Sequence, residues 1–415
     1  MDQMLNEFCW LSILQHLELR DHLALAQVSE TLHSIVKYHW RSLSRVKILD
    51  DTVQRLTNHP RGMHEFLECA SASLQELELK NCSFRLLRKW EFYSFPKLHT
   101  LDYQTMYNED CADEETLLLT QLFPNLRKLT LSNSTSGLHL WCWSKLQELH
   151  LIRCDFLNSD LFEEIFSKLP LRKLTLLYYG DDVCLDEGIF AASLCKTLEE
   201  LVVDDHHLVE DCLRNLLRLP KIRRLTFYTR DYCEYLLKKI SKQQPLKVNA
   251  LLFNDSFWKN GQVAENVLRM LNLRRFALYD DDIGGNQLHS ICEKMPNLQE
   301  LYLMKMRQLP STKKLWDAIA ASDALKVLDL SNTKLDEEFL ESSVACLEPT
   351  LSKRSAPLQL NCHNCDISQE RILTMLKHPK LQVTFDPVKT NIWSARFVDI
   401  EFTSTVADLK GSPNP

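Results

Sequence analysis

A short pattern, apolar-x-x-apolar-x-apolar, recurs through most of this 415-residue chain. Clear copies such as LQELEL from Leu74, LQELHL from Leu146 and LKVLDL from Leu325 belong to a series with a mean spacing of about 25 residues. The final apolar pair alternates with a polar position, which predicts a β-strand. A polar turn and a helix-like run follow, and many runs end at a proline, as at Pro170 and Pro220. Each unit is therefore predicted to be a strand, a turn and a returning helix, and successive units are predicted to share one core.

The repeat resembles the leucine-rich-repeat family in its cysteine-containing form. Cys82, Cys154 and Cys365 fall where that family places a buried Cys or Asn after the strand, and other copies carry Ser134 or Thr333 there. Strands pack about 4.8 Å apart whereas packed helices need about 8–10 Å, so the strand side must lie inside a curve. The predicted fold class is α/β, a leucine-rich-repeat solenoid with a curved parallel sheet inside and helices outside.

The front of the chain, residues 1–45, has a different character. Its segments LNEFCWLSILQHL (5–17) and LELRDHLALAQVSETL (17–32) resemble the F-box, a small all-α module. The matching positions are Leu5, Ile13, Leu17, Leu19, Asp21, Leu23, Leu25, Val28, Trp40 and Leu43. The chain departs from the family pattern at Asn6, Phe8, Ser29 and Leu32.

This resemblance implies a binding partner for the front module. About 45 residues provide too small a core for robust independent stability, and an apolar side buried against a partner helix would supply what is missing. In the F-box family that partner is the Skp-type adaptor of the Skp–cullin–F-box ubiquitin ligases. By resemblance, the residues that form or support the contact are Leu5, Asn6, Phe8, Ile13, Leu17, Leu23, Leu25 and Val28. The alternative is a helical cap that buries the same leucines against the first repeat.

The rest of the chain divides by pattern. Residues 46–73 are predicted to be a linker or N-terminal cap, and residues 74–385 to hold 12–13 repeats. Residues 386–415 lose the repeat and are predicted to form a C-terminal cap and a disordered tail. The apolar part of that segment, 391–402, could cap the final repeat or fold back across it.

The strand positions between the framework leucines suggest a second binding surface. Early copies carry charged or polar residues there, whereas later copies carry larger aromatic or apolar ones. Parallel stacking would bring the later side chains together, and exposed aromatic clusters mark interaction sites. The predicted substrate-binding residues are Tyr228, Leu252, Tyr279, Tyr302 and Met304. The alternative is a scatter of surface apolar residues, which is normal for globular proteins.

Other motifs favour ordinary structural roles. Cys362 and Cys365 have C-x-x-C spacing but no second pair, so we expect repeat-core thiols rather than a metal site. Acidic groups at 181–182, 204–205 and 280–282 follow strands and could form a negative rim that steers a basic partner. No glycine-rich phosphate loop, nucleophile–base arrangement or apolar run of membrane-spanning length occurs in the sequence. We therefore expect no catalytic residues, no cofactor, no metal and no membrane contact.

These observations predict an interaction protein. A net charge of −7 argues against nucleic-acid binding. The F-box resemblance implies a non-catalytic substrate-recognition subunit of a ubiquitin ligase, which contacts a cullin through the Skp-type adaptor and holds a substrate protein on its repeats for degradation. The scattered cysteines and the lack of a basic leader before FCWLSIL favour the cytoplasm or nucleus. The alternative is a ligase-independent scaffold whose front helices are only a cap.

Overall fold

The computed structural model describes residues 6–105, 111–133, 135–154, 156–177, 195–204, 217, 219–228, 233–243, 247–254, 261–387 and 397–403. The chain divides into two compact units. Unit 1 comprises Met1–Glu200 and His207–Pro220, and unit 2 comprises Leu201–His206 and Lys221–Pro415. In the part of the chain that the structure describes, no helix is long and apolar enough to cross a membrane.

Unit 1 opens with three helices, α1 (Glu7–Leu14), α2 (Leu19–Leu25) and α3 (Glu30–Trp40). Two of them begin at polar caps: the Asn6 side chain accepts a hydrogen bond from the Cys9 amide, and Ser29 Oγ accepts one from the Leu32 amide. Trp40 is buried at the end of α3 and meets the Phe66 ring edge-on at 5.5 Å. These helices agree with the all-α module predicted for the front of the chain.

A parallel sheet follows in unit 1, with its strands in chain order. Its strands are β1 (Arg45–Ile48), β2 (Glu76–Lys80), β3 (Thr100–Gln104), β4 (Lys128–Ser132), β5 (Glu148–Ile152) and β6 (Lys173–Leu177). The helices between them are α4 (Asp50–Asn58), α5 (Pro60–Ala70), α6 (Phe84–Arg88), α7 (Ala112–Leu122) and α8 (Phe162–Lys168). The sheet thus begins with β1, inside the stretch whose sequence had indicated a linker or cap.

The leucine pattern accounts for the packing of unit 1. One cross-strand row of framework residues runs Val46, Leu77, Leu101, Leu129, Leu149 and Leu174, and all are buried. Burying one such side chain contributes about 1.5–3 kcal/mol. The repeat also fixes the backbone, because the Gln75 carbonyl accepts hydrogen bonds from the His99 and Thr100 amides and the same two-donor contact recurs at the start of the next strands.

Unit 2 holds the remaining strands: β7 (Glu200–Asp204, from Leu201 onward), β8 (Arg224–Tyr228), β9 (Val248–Asn254), β10 (Arg275–Tyr279), β11 (Glu300–Met304), β12 (Val327–Asp329), β13 (Leu358–Asn361), β14 (Leu381–Thr384) and β15 (Phe397–Phe402). Its described helices are α9 (Cys233–Gln243), α10 (Gly261–Val267), α11 (Gly285–Lys294), α12 (Thr312–Ala320), α13 (Glu337–Leu351) and α14 (Gln369–Met375). Strands β9 to β14 pair in parallel and in chain order.

Strand β15 departs from this order. It lies between β8 and β9 and pairs antiparallel with both. Its residues Val398 and Ile400 are buried in the framework rows, opposite Phe227 and Leu225 of β8. The C-terminal segment therefore completes the interior of the sheet, and this location differs from the expected cap on the final repeat or a path across it. Residues 388–396 and 404–415 lie outside the described residues.

The turns after several strands share one backbone conformation. Asn81, Arg153, Asp280, Lys305 and Asn332 all have positive φ angles although none is glycine. The backbone amide of each donates to a carbonyl of the next strand-and-helix repeat, for example Asn81 to Gln104 and Lys305 to Ser331. This contact gives a hydrogen-bond partner to a backbone donor in the turn. The strand-and-helix units are therefore repeats in backbone geometry as well as in sequence.

Candidate protein-interaction surfaces

Helix α1 presents apolar residues that the chain itself does not cover. Its sequence EFCWLSIL is apolar almost all round, yet only Leu14 is fully buried, with Trp10 and Leu11 half-buried on the same stripe. Phe8 is 79% exposed and Ile13 is 36% exposed. A helix that is hydrophobic on every side is normally covered on every side. The outer side of α1 is thus a candidate docking surface for a partner.

Exposed apolar side chains continue on the neighbouring helices. Val28, just before α3, is 69% exposed, and Tyr38 on α3 is 59% exposed. Tyr38 was not singled out from the sequence. The signal that could have found it is helical phase: Ile35, Val36, His39 and Trp40 form the buried stripe of α3, and Tyr38 lies off that stripe.

The opposite side of the helical module is fixed to the first strand-and-helix unit. Arg20 of α2 makes an ion pair with Asp51 of α4 at 2.6 Å, and Ser73 Oγ donates to the Leu43 carbonyl at 2.9 Å. The Trp40–Phe66 contact joins α3 to α5. Among the described residues of the module, those on the side away from α4 and α5 remain available to a partner.

The predicted adaptor-contact residues fall into three groups. Asn6, Phe8, Ile13 and Val28 are exposed, and Leu17 and Leu25 are half-buried. Leu23 is only 6% exposed, so it supports α2 from within rather than touching a partner. Its spacing from Leu19, four residues earlier, puts both on the buried stripe of α2. Leu5 lies outside the described residues.

Beneath the module lies a pocket of about 400 Å³ with two histidines in its lining. The His22 ring donates from Nε2 to the Leu14 carbonyl at 2.8 Å and meets the His39 ring edge-on at 5.1 Å. Burial lowers the pKa of His22. Burial also lowers the pKa of His39, and the neighbouring His22 lowers that pKa further. Both imidazoles are therefore neutral near pH 7, which suits a packing role.

The strand face of unit 2 brings together part of the predicted substrate patch. Leu252, Ala277 and Tyr302 are neighbours in one cross-strand row, and Tyr279 lies beside Met304 in another. Leu252, Tyr279 and Tyr302 are half-buried and can offer surface.

The other two members of the predicted patch do not fit it. Tyr228 and Met304 are 3% and 1% exposed, so neither can contact a partner in this conformation. Tyr228 is also separated from the rest, because β15 lies between β8 and β9 and Phe397 packs against the tyrosine ring with centroids 5.9 Å apart.

Charges on this strand face are paired. Tyr302 donates its hydroxyl to Glu300 at 2.8 Å, and Arg275 contacts Glu300 at 2.9 Å and Glu401 at 3.5 Å. Burial, reinforced by that carboxylate, raises the pKa of Tyr302. The charged row lies at the start of these strands, and Leu252, Tyr302 and Tyr279 follow it further along the strands.

The strand face of unit 1 is polar, as its sequence predicts. Glu78 accepts from Lys47 at 2.8 Å and Lys80 at 3.1 Å; burial opposes its charge, but the two ammonium groups hold its pKa below the usual value. Burial raises the pKa of the adjacent Asp102, whereas it lowers the pKa of His150 to about 4. These groups form a hydrogen-bonded surface, with His150 Nδ1 2.8 Å from Thr175 Oγ1.

The proposed negative rim is wrong for the acidic group at 280–282. Asp280 is neutralised by Lys305 at 2.8 Å and Arg307 at 2.9 Å, and Asp281 is fully buried. Asp204 is also buried, at 5% exposure. Residues 181–182 and 205–207 lie outside the described residues.

The cysteines that follow the repeat strands lie in or near the core. Cys82 and Cys154 are buried, and Cys365 is half-buried, with its thiol 3.4 Å from the Leu330 carbonyl. Cys362 is buried, and its hydrogen bond with Cys365 raises its pKa. Among the residues that the structure describes, no three His, Cys, Asp or Glu side chains are grouped so that they could share a metal ion.

Comparison with known proteins bears on the helical module. Residues 3–44 match the family model of the F-box domain, which confirms the F-box predicted at the front of the chain. No curated protein matches the chain.

Solved structures give only a distant likeness. Among those that match is a TLR13–ssRNA13 complex, which has a TM-score of 0.37 and 14% sequence identity over 84% of this chain. The present chain spans 62% of the length of that TLR13 chain. A likeness at this level carries no argument about shape or ligands.

Proposed function

We propose that this protein is the substrate-recognition subunit of a Skp–cullin–F-box ubiquitin ligase. The F-box binds the Skp-type adaptor and, through it, a cullin, while the repeats act as a leucine-rich-repeat solenoid that holds a substrate protein. The chain performs no bond chemistry in this role, which is to bring the substrate near other subunits and orient it. Such a subunit would act in the cytoplasm or nucleus.

One observation carries the adaptor part of the proposal. Within the region that matches the F-box, α1 buries one stripe and leaves Phe8 and Ile13 exposed, and Val28 is exposed nearby in the chain. A large apolar side chain left fully in water forgoes about 1.5–3 kcal/mol relative to full burial, and a partly exposed one such as Ile13 forgoes a fraction of that. A partner that covers them gains this free energy, because the intrachain contacts of α1 do not use it.

The substrate part of the proposal rests on the strand face of unit 2. Leu252, Tyr279 and Tyr302 are half-buried there beside the Arg275–Glu300 pair. Tyrosine side chains next to paired charges are typical of protein-binding surfaces, in which aromatic anchors supply most of the affinity. We assign these three residues to substrate contact.

Co-purification with the Skp-type adaptor tests the first part. We expect the full-length chain to retain the adaptor and the variants Phe8→Asp and Val28→Asp to lose it. Phe92→Asp is the matched control, because Phe92 is also in unit 1, is 89% exposed and lies outside the F-box. Leu23→Asp is unsuitable because Leu23 is buried and its loss would unfold α2.

The control defines the outcome that overturns the proposal. Adaptor binding that survives both F-box substitutions, or that Phe92→Asp abolishes equally, would overturn the proposed contact, and a full-length chain that retains no adaptor would favour the ligase-independent scaffold. The substrate part is tested separately with Tyr302→Ala and Tyr279→Ala, which should reduce recovery of proximity-labelled partners while adaptor binding stays intact.

A further inference from the structure

The C-terminal strand β15 is held by contacts of two kinds. Its backbone pairs with β8 on one side and β9 on the other over most of its length. Its outward-facing Asp399 is 5% exposed and accepts hydrogen bonds from Arg224 Nε at 2.9 Å and Nη2 at 2.7 Å, and from Thr226 Oγ1 at 2.7 Å. The two ion-pair residues are 175 positions apart in the chain.

The repeat pattern does not require this strand. Strands β1 to β6 and strands β9 to β14 each pair directly with the next strand in the chain. Strands β8 and β9 do not pair with each other, because β15, from a remote part of the chain, lies between them. Without it, two facing strand edges would expose unpaired N–H and C=O groups, which is the arrangement that accepts an added strand.

The gap between β8 and β9 also selects a side-chain pattern. On one face it buries Val398 and Ile400 in the framework rows. On the other face Arg224 and Thr226 donate hydrogen bonds to the Asp399 carboxylate, and Arg275 lies 3.5 Å from Glu401. The backbone ladders accept any extended segment, whereas these side chains favour alternating apolar and acidic residues.

We propose that the gap between β8 and β9 is a strand-accepting peptide site, filled in this structure by residues 397–402. Its partner ligand is an extended segment of another protein in which apolar and acidic residues alternate, and that segment replaces β15 by forming the same antiparallel pairs. This function goes beyond the ligase role and does not depend on F-box docking.

Asp399 is the position on which recognition depends most. A charged pair with two parallel N–H···O bonds is directional and strong, and here the carboxylate is almost fully removed from water. Glu401 makes one contact at 3.5 Å and its side chain is 35% exposed, so salt and water screen it. The two acidic residues of one strand therefore provide a matched comparison.

The test uses the full-length chain with a protease-cleavage sequence placed within 388–396, so that the protein folds with its own tail before cleavage. After cleavage, a fluorescein-labelled peptide with the sequence of residues 397–403 is added, and anisotropy reports its binding. We expect saturable binding to the cleaved protein and far weaker binding to the uncleaved one, because the tethered tail has a large effective concentration.

Peptide variants measure specificity. The Asp399→Asn peptide should bind at least about tenfold more weakly, and the Glu401→Gln peptide within about threefold of the parent. In the protein, Arg224→Met should remove the difference between the parent and Asp399→Asn peptides, whereas Arg275→Met should preserve it.

Several results would overturn the proposal. A tail that stays bound after cleavage until the whole protein unfolds, or a cleaved protein that aggregates, would show that β15 is an integral part of the fold. Equal binding of the parent and Asp399→Asn peptides would show that Arg224 and Thr226 do not select for an acidic residue at this position. A dimer in which two copies exchange tails, with no binding of free peptide, would assign the site to a second copy of this chain.

Discussion

Arg354 is an almost fully buried cation of unit 2, and its replacement should weaken that unit markedly. The residue is 2% exposed, just beyond the end of α13. Its guanidinium donates to the carbonyl of Ile319, in the last turn of α12, at 3.2 Å, and to the carbonyls of Ser322 at 2.7 Å and Leu325, which lie in the segment between α12 and β12. Burial lowers the pKa of this guanidinium, but the carbonyls at a helix C-terminus favour a cation.

The magnitude follows from which partners are lost. A hydrogen bond to a charged group contributes about 1.5–3 kcal/mol, so the loss of three such bonds sets the upper limit of the stability cost. Two of the acceptors keep a backbone donor, since the Ser322 amide bonds to Ile319 and the Leu325 amide to Ser322. An apolar replacement also relieves the cost of burying the charge. We therefore expect Arg354→Met to reduce the local free energy of unfolding by about 3 kcal/mol.

Hydrogen exchange of the full-length chain measures this loss. About 3 kcal/mol corresponds to roughly a hundredfold faster exchange of amides in α12 and the following strand β12. Arg371→Met is the control, because Arg371 pairs with Glu337 on the surface of the same unit and its loss should leave these rates unchanged. Exchange in Arg354→Met that matches the Arg371→Met rates would refute the reasoning.

Three further predictions concern unit 1. His22 and His39 have folded-state pKa values that burial lowers, so the unfolded chain binds protons first; stability should be constant above about pH 6.5 and fall as the pH drops below it, which thermal melts from pH 8 to 5 would show. A loss of stability on raising the pH instead would contradict this sign. His150 should titrate with a pKa of about 4 in NMR spectra, and a value above 6 would mean that it is solvated. Trp40→Ala should cost about 3–5 kcal/mol in urea unfolding, because it leaves a cavity against Phe66; a cost below about 1 kcal/mol would mean that the module does not pack on α5.

Local pattern was sufficient for most strands of the sheet. Motifs such as LQELEL and LRKLTL place two framework leucines per strand, and in the structure these leucines are buried in continuous rows. Strand β1, RVKI, was missed because it carries no leucine and follows the helical module directly. Its alternation of exposed and buried residues becomes recognisable only in the folded structure, where β1 pairs with β2.

The location of β15 could not be read from the sequence. The segment FVDIEF alternates well enough to predict a strand, but alternation says nothing about neighbours. Its partners, β8 and β9, lie well over a hundred residues away, and the bond from Arg224 to Asp399 is a pairwise contact without a periodic signal. The burial of Tyr228 and Met304 was missed for a related reason, because strand alternation alone does not reveal what covers the outward face.

The join between the F-box and the first repeat bears on how the protein could work. Strand β1 starts five residues after α3 ends. Trp40 packs against Phe66 of α5, Arg20 pairs with Asp51 of α4, and the Leu43 carbonyl accepts a hydrogen bond from Ser73. A flexible linker would let an adaptor bound to α1 sample many orientations relative to the strands of unit 1. This packed join would instead hold an adaptor bound to α1 at a fixed angle to those strands. A subunit that acts by orienting a substrate benefits from such rigidity, because each degree of freedom removed in advance raises the effective concentration of the reacting groups.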